Sequence, residues 1–184
     1  NFTTACLVAG TKILMSDESL KNVEEIKVGD KVLSYESGSV VTSVVTEAGT
    51  PTHYKIVTLE FDDFDITSTP NHPVFVENKG WSSVDPKSTI EENSNGLDEC
   101  AQLEEGDLVL RYVDGEVVRE ELIKINEVLE QETTTYSLAV KDTHNFFANS
   151  IVVHNKQAWN VSNWGDEYGG GTEVFSAIRG DFKM

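Results

Sequence analysis

The chain has 184 residues, 32 acidic against 14 basic, a net charge of −18, and 39% hydrophobic residues. That length suits one domain, alone or with tails, and the hydrophobic share is too high for a disordered acidic tail. A phosphate backbone needs a basic footprint, absent here, so nucleic acid is excluded; no apolar run nears the ~20 residues of a membrane span, so no membrane partner is expected.

The opening NFTTACLVAG has neither the basic region nor the apolar stretch of a signal peptide, and its lack of Met fits a piece of a longer precursor. From Thr11 to about Val153 the sequence reads as short strands and turns, without a long helical period. Strands are predicted over 31–35, 40–46, 54–61, 72–76, 107–113, 135–140 and 150–154, all rich in β-branched and aromatic residues. ESGS, AGTP, VDGE and ANS supply the turns between them. An all-β domain follows. The acidic run EFDDFD (60–65) reads as a solvated strand edge, with a hard-cation site as the alternative. Residues 82–100 are polar and turn-rich and read as an excursion loop. Residues 156–184 carry three consecutive glycines and two tryptophans, and read as a flank or the start of another domain.

One internal echo predicts symmetry. VEEIKVGDKVLSY (23–35) and CAQLEEGDLVLRY (100–112) align without a gap at an offset of 77. Ile26/Leu103, Gly29/Gly106, Asp30/Asp107, Val32/Val109, Leu33/Leu110 and Tyr35/Tyr112 correspond. A Gly-Asp turn feeding an alternating strand is used twice, which predicts two pseudo-symmetric halves.

The chemistry-bearing residues fall in three clusters. Cys6 heads the β region, Thr-Pro-Asn-His (69–72) runs into a strand, and HNFFANSIVVHN (144–155) closes the region at His154-Asn155. Cys6 and Cys100 are an even pair, readable as a disulfide or as two thiols, and fewer than a secreted disulfide scaffold carries. Cys100 and His53 match no functional position and read as structural.

In that order the three clusters resemble a hedgehog/intein (Hint) domain, the self-processing module of inteins, bacterial intein-like domains and hedgehog autoprocessing domains. CLVAGTKILMSDESLKNVEEIKVGDKVLSY is similar to the family's opening block, TSTPNHPVFV to its Thr-x-x-His block, and YSLAVKDTHNFFANSIVVHN to its closing pair. The resemblance spans Cys6 to Asn155 and implies a horseshoe-shaped, pseudo-twofold all-β fold. It implies a domain at 6–155 between flanks at 1–5 and 156–184, and 82–100 is too short for a homing-endonuclease insertion.

The same resemblance implies autocatalytic chemistry. The Cys6 thiolate attacks the Ala5 carbonyl, with His72 protonating the departing nitrogen and Thr69 positioning the amide. The Asn155 side chain attacks its own carbonyl and cleaves the bond to Lys156. His144 and His154 are the candidates to polarise that carbonyl and to serve the Asn nitrogen, in either assignment. Two residues depart from the inteins that splice efficiently. Lys156 stands where those carry Cys, Ser or Thr, and Ser137 where many carry Asp, which fits intein-like domains that cleave at one or both ends with splicing as a minor route. Hedgehog-type transfer to an external nucleophile, and an inactive β-structured binding module, are the rival readings. The substrate is expected to be the chain's own flanking polypeptides, in a monomer with no cofactor and no metal, and Zn²⁺ trapped by Cys6 and the histidines would inhibit.

Overall fold

A computed structural model describes residues 5–92 and 96–155. The C-terminal flank 156–184, Lys156 included, and all of the N-terminal flank except Ala5 lie outside the described residues.

Strands dominate, as β-branched alternation demands. The first half comprises β1 (Leu7–Val8), β2 (Lys12–Leu14), β3 (Leu20–Asn22), β4 (Lys31–Glu36), β5 (Ser39–Gly49), β6 (Thr52–Glu60), β7 (Asp65–Ser68), β8 (Val74–Val76) and β9 (Gly80–Ser83). After helix α1 (Pro86–Glu92) come β10 (Ala101–Gln102), β11 (Leu108–Val113), β12 (Glu116–Glu121), β13 (Lys124–Ile125), β14 (Leu129–Val140), β15 (Asn145–Ala148) and β16 (Ile151–His154). One sheet runs β13-β6-β7-β1-β14-β5-β4; the other runs β10-β9-β8-β11-β16-β15-β2-β3, with β12 on β11 and a further β8–β16 pairing. The chain crosses from the first sheet to the second between β1 and β2, β7 and β8, and β14 and β15.

The sequence echo is a structural one. Gly29 and Gly106 take the left-handed region at φ 97° and 96°, where a side chain would be strained. The Gly29 N–H donates to the Val45 carbonyl at 2.8 Å and the Gly106 N–H to the Leu122 carbonyl at 2.7 Å, an equivalent pair at the same offset. Asp30 Oδ2 accepts the Lys27 N–H at 2.9 Å, and Asp107 Oδ2 accepts the Glu104 N–H at 2.8 Å. Each strand then enters a hairpin whose two turn residues both have positive φ, Ser37-Gly38 and Asp114-Gly115, the type I′ geometry that suits twisted strands. Val32 and Val109 are fully buried in one core cluster, while Leu33 and Leu110 share the other with Phe147 and Val152.

Two expectations are corrected. The excursion loop at 82–100 contains the end of β9 and the helix α1, because Pro86 suits a first helical turn and the Asp85 carboxylate accepts the Ser88 N–H at 3.2 Å. The acidic run at 60–65 is the tip of the β6–β7 hairpin, not a strand edge: Glu60 and Asp65 pair at the strand ends and 61–64 form the turn. Phe61 and Phe64 stack inside it at 4.6 Å, and Arg111 lies 4.3 Å over the Phe64 ring and 3.4 Å from Asp63. Among the described residues no group of three or more His, Cys, Asp or Glu side chains is placed to hold a metal ion.

Candidate active site

Cys6 is fully buried just ahead of β1, where Leu7 pairs with both Ser68 of β7 and Tyr136 of β14. Beyond Ser68 the chain leaves the first sheet, and the pairing with β1 changes character. The Thr69 N–H still donates to the Cys6 carbonyl at 3.0 Å, but the Thr69 carbonyl turns away to accept the His72 N–H at 3.1 Å and the Ser68 hydroxyl at 2.9 Å. The Cys6 N–H, the amide of the Ala5–Cys6 bond, is taken instead by Thr69 Oγ1 at 3.0 Å. The Thr69 hydroxyl donates its own proton to Asn71 Oδ1 at 2.7 Å, which aims its lone pairs at the amide.

The same loop reaches the other end of the region. Pro73 follows His72, and its carbonyl accepts the His154 N–H at 3.0 Å as β8 pairs with β16 through Val74 and Val153. His72 therefore sits between Cys6 and His154. Burial pushes its imidazole down from 6.5 to about 4, and the nearby backbones of Cys6 and His154 counter part of that effect. Neither ring nitrogen makes a hydrogen bond of good geometry among the described residues. The ring is neutral at pH 7.

His154 and Asn155 are both buried. His154 Nδ1 lies 2.8 Å from the Asn155 carbonyl oxygen, and because a carbonyl only accepts, Nδ1 carries the proton. Burial lowers His154 as well, to about 4; the Asn155 carbonyl opposes the shift, and the neighbouring His144 and His72 imidazoles add to it by disfavouring a second positive ring beside them. The indole of Trp81 meets the ring edge-on at 4.7 Å. The Asn155 N–H donates to the His144 carbonyl at 3.0 Å, its Nδ2 to the Val140 carbonyl at 3.4 Å, and Oδ1 is buried without a hydrogen-bond partner among the described residues.

His144 is half-buried, with its ring 6.4 Å from that of His154 and its backbone left-handed at φ 60°. Asn145 holds this turn in place. Its amide donates to the Tyr35 and Thr143 carbonyls at 2.9 and 3.0 Å, and its Oδ1 accepts the Tyr35 N–H at 2.8 Å. Ser137 is buried on β14 opposite Gly49, where a Cβ would come within 3.0 Å of its Oγ.

Cys6, Thr69, His72, His154 and Asn155 are thus joined through one loop, with His144 on the rim. His53 lies elsewhere, its Nδ1 2.7 Å from the Thr135 hydroxyl, and Cys100 is a free thiol 3.5 Å from Ser83 Oγ. Asn71, Trp81 and Asn145 were given no role in the sequence. Asn71 lies inside the Thr-Pro-Asn-His cluster, and Trp81 follows a glycine in the next strand, so position relative to the cluster was the signal that could have found them.

The whole fold has close counterparts. A bacterial intein-like domain from Clostridium thermocellum is 27% identical with a TM-score of 0.62, over 83% of this chain and 100% of its own. The DnaB intein from Synechocystis sp. PCC 6803 gives 15% and 0.65 over 83% and 99%, and the gp41-1 intein gives 23% and 0.62 over 83% and 100%. No curated protein matches. The architecture is the pseudo-twofold, horseshoe-shaped Hint fold. Within that class the chain is an intein-like Hint domain, and over residues 7–114 it also belongs to the family described as "Ataxin-1 and HBP1 module (AXH)". That second match begins after Cys6 and stops before β14, so it bears on neither end of the site.

Proposed function

We propose that residues 6–155 form a self-processing domain that cleaves its own chain from the flanks 1–5 and 156–184. The observation that carries this reading is that one buried loop, 69–73, holds the Cys6 amide through Thr69 Oγ1 at 3.0 Å and the backbone of His154 through Pro73. Cys6 at one end and Asn155 at the other are both buried, and this one loop ties the first directly and the second through its neighbour His154, which supports a common site.

At the N-terminal end, Cys6 Sγ bonds to the Ala5 carbonyl carbon and the bond from that carbon to the Cys6 nitrogen breaks. His72, neutral at pH 7 because of its burial, takes the proton leaving Sγ and passes it to that nitrogen, returning to its neutral form. Such general acid catalysis contributes roughly 10²–10⁴-fold. The product is a thioester and a free amine at Cys6. Thr69 fixes the amide N–H throughout, so attack and protonation are aligned before the thiol ionises.

At the C-terminal end, Asn155 Nδ2 attacks its own backbone carbonyl carbon and the bond to Lys156 breaks. Nδ2 loses one proton, the Lys156 nitrogen gains one, and the Asn155 ring closes to a succinimide. His154 Nδ1–H, 2.8 Å from that carbonyl oxygen, supports His154 as the polarising group and leaves His144 to serve the nitrogen. Lys156 offers neither thiol nor hydroxyl to receive the thioester, so cleavage is the main outcome. Splicing is a minor route, through attack of the freed Lys156 amine on the thioester.

The test uses the full chain with single substitutions. Cys6→Ala stops thiol-induced loss of residues 1–5 and leaves release of residues 156–184 in place; Asn155→Ala does the reverse. A Cys6→Ala chain that still sheds residues 1–5 overturns the N-terminal mechanism, and an Asn155→Ala chain that still releases 156–184 overturns the other.

A further inference from the structure

Helix α1 occupies the stretch that read as an excursion loop, and its one fully buried hydroxyl points back at the active-site loop. Thr89 is 0% exposed. Its Oγ1 lies 2.7 Å from the Asn71 carbonyl, 3.2 Å from the Asp85 carbonyl and 2.7 Å from Ser83 Oγ. The carbonyls only accept, so Thr89 donates to them and accepts from Ser83. The Asp85 N–H adds a second tie, donating to the Pro70 carbonyl at 3.0 Å. These bonds fall on the two residues between Thr69 and His72. Asn71 is the pivot: its carbonyl is held by Thr89, and its Oδ1 accepts from the Thr69 hydroxyl that receives the Cys6 N–H.

We propose that Thr89 is a positioning residue for the N-terminal acyl shift, acting through the Asn71 carbonyl to hold Thr69 and His72 against the Ala5–Cys6 amide. This rests on the self-processing reading above. The physical reason is geometric. A loop of five residues between two strands of different sheets has few bonds of its own, and a buried carbonyl left without its donor draws the backbone elsewhere. An error of about an ångström at Asn71 would pass directly to the Thr69 hydroxyl, and reactions that depend on alignment lose rate steeply with such errors. His154 is tied to the far end of the loop, at the Pro73 carbonyl beside the β8–β16 pairing, and Asn155 to the His144 carbonyl, so the C-terminal step depends on Thr89 much less than the N-terminal one.

The experiment compares the full chain carrying Thr89, Thr89→Val and Thr89→Ser. Thr89→Val keeps shape and removes the hydroxyl; thiol-induced loss of residues 1–5 is expected to slow about tenfold, the equivalent of about 1.4 kcal/mol. Release of residues 156–184 stays within twofold, and Thr89→Ser restores the N-terminal rate. Equal slowing of both cleavages, or no slowing of the first, overturns the proposal. Hydrogen exchange at the residue 6 amide, measured in a Cys6→Ala background, needs no chemistry. It accelerates with Thr89→Val if the proposal holds, and unchanged exchange contradicts it. If the unsubstituted chain loses nothing with thiol while the exchange still responds, the self-processing reading fails and the positioning of the loop stands.

Discussion

Lowering the pH from 7 to 5 should unfold this domain more easily, and two buried imidazoles account for most of the effect. His72 and His154 are each lowered from 6.5 to about 4 by burial. Between those values the unfolded chain binds protons that the folded chain refuses, so stability rises with pH across the window. It is fully present above 6.5 and is lost as the pH falls toward 4. At pH 5 each ring contributes a loss of about 2 kcal/mol, about 4 kcal/mol together. That is a large share of the 5–15 kcal/mol typical of a domain. The assay is guanidinium unfolding at pH 7 and pH 5 in a Cys6→Ala/Asn155→Ala background, which prevents cleavage. Adding His72→Gln and His154→Gln should remove most of the pH dependence, with His53 and His144 left in place as controls. Equal unfolding free energies at the two pH values would refute the reasoning. So would a loss that persists undiminished in the substituted chain.

Asn145→Ala removes the bonds to Tyr35 and Thr143 that hold the His144 turn. It should cost about 1–3 kcal/mol by chemical denaturation and slow release of residues 156–184 more than loss of residues 1–5, as read by mass spectrometry. Gly29→Ala and Gly106→Ala each place a side chain in left-handed backbone with open space around it. Each should cost about 1–2 kcal/mol from strain alone, and unfolding midpoints shifted by the same amount would reflect the shared turn geometry of the two halves.

Much of the architecture was legible because the two halves repeat one device. The Gly-Asp turns at 29–30 and 106–107 announced themselves as identical residues before identical alternation, and the structure gives them the same hydrogen bonds. The two-residue strands β1, β10 and β13 were not legible, since they hold too few side chains for a period to emerge and exist only because longer strands pair with them. Strand β14 is longer than the sequence suggests; its polar half, Leu129–Thr134, pairs with β6 through backbone bonds that the side chains do not advertise. Helix α1 was masked by its polar surface, although Asp85-Pro86 carried the signal of a helix start. For the site, the candidate side chains stood out in the sequence, Cys6, His154 and Asn155 at the ends of the β region and Thr69 and His72 in the Thr-Pro-Asn-His run. The residues that hold them, Asn71, Thr89 and Asn145, did so through carbonyls and amides contributed by the fold, and no spacing in the sequence encodes those contacts.

The most direct test of the central claim is the intact mass of the purified 184-residue chain before and after incubation with a small thiol. Self-processing predicts a species that begins at Cys6, appearing only with thiol, and a species that ends at Asn155 with a mass one water below the free acid, the signature of the succinimide. A chain that keeps its full mass under both conditions, or a fragment ending at Asn155 that carries an ordinary carboxylate from the moment it appears, would contradict it.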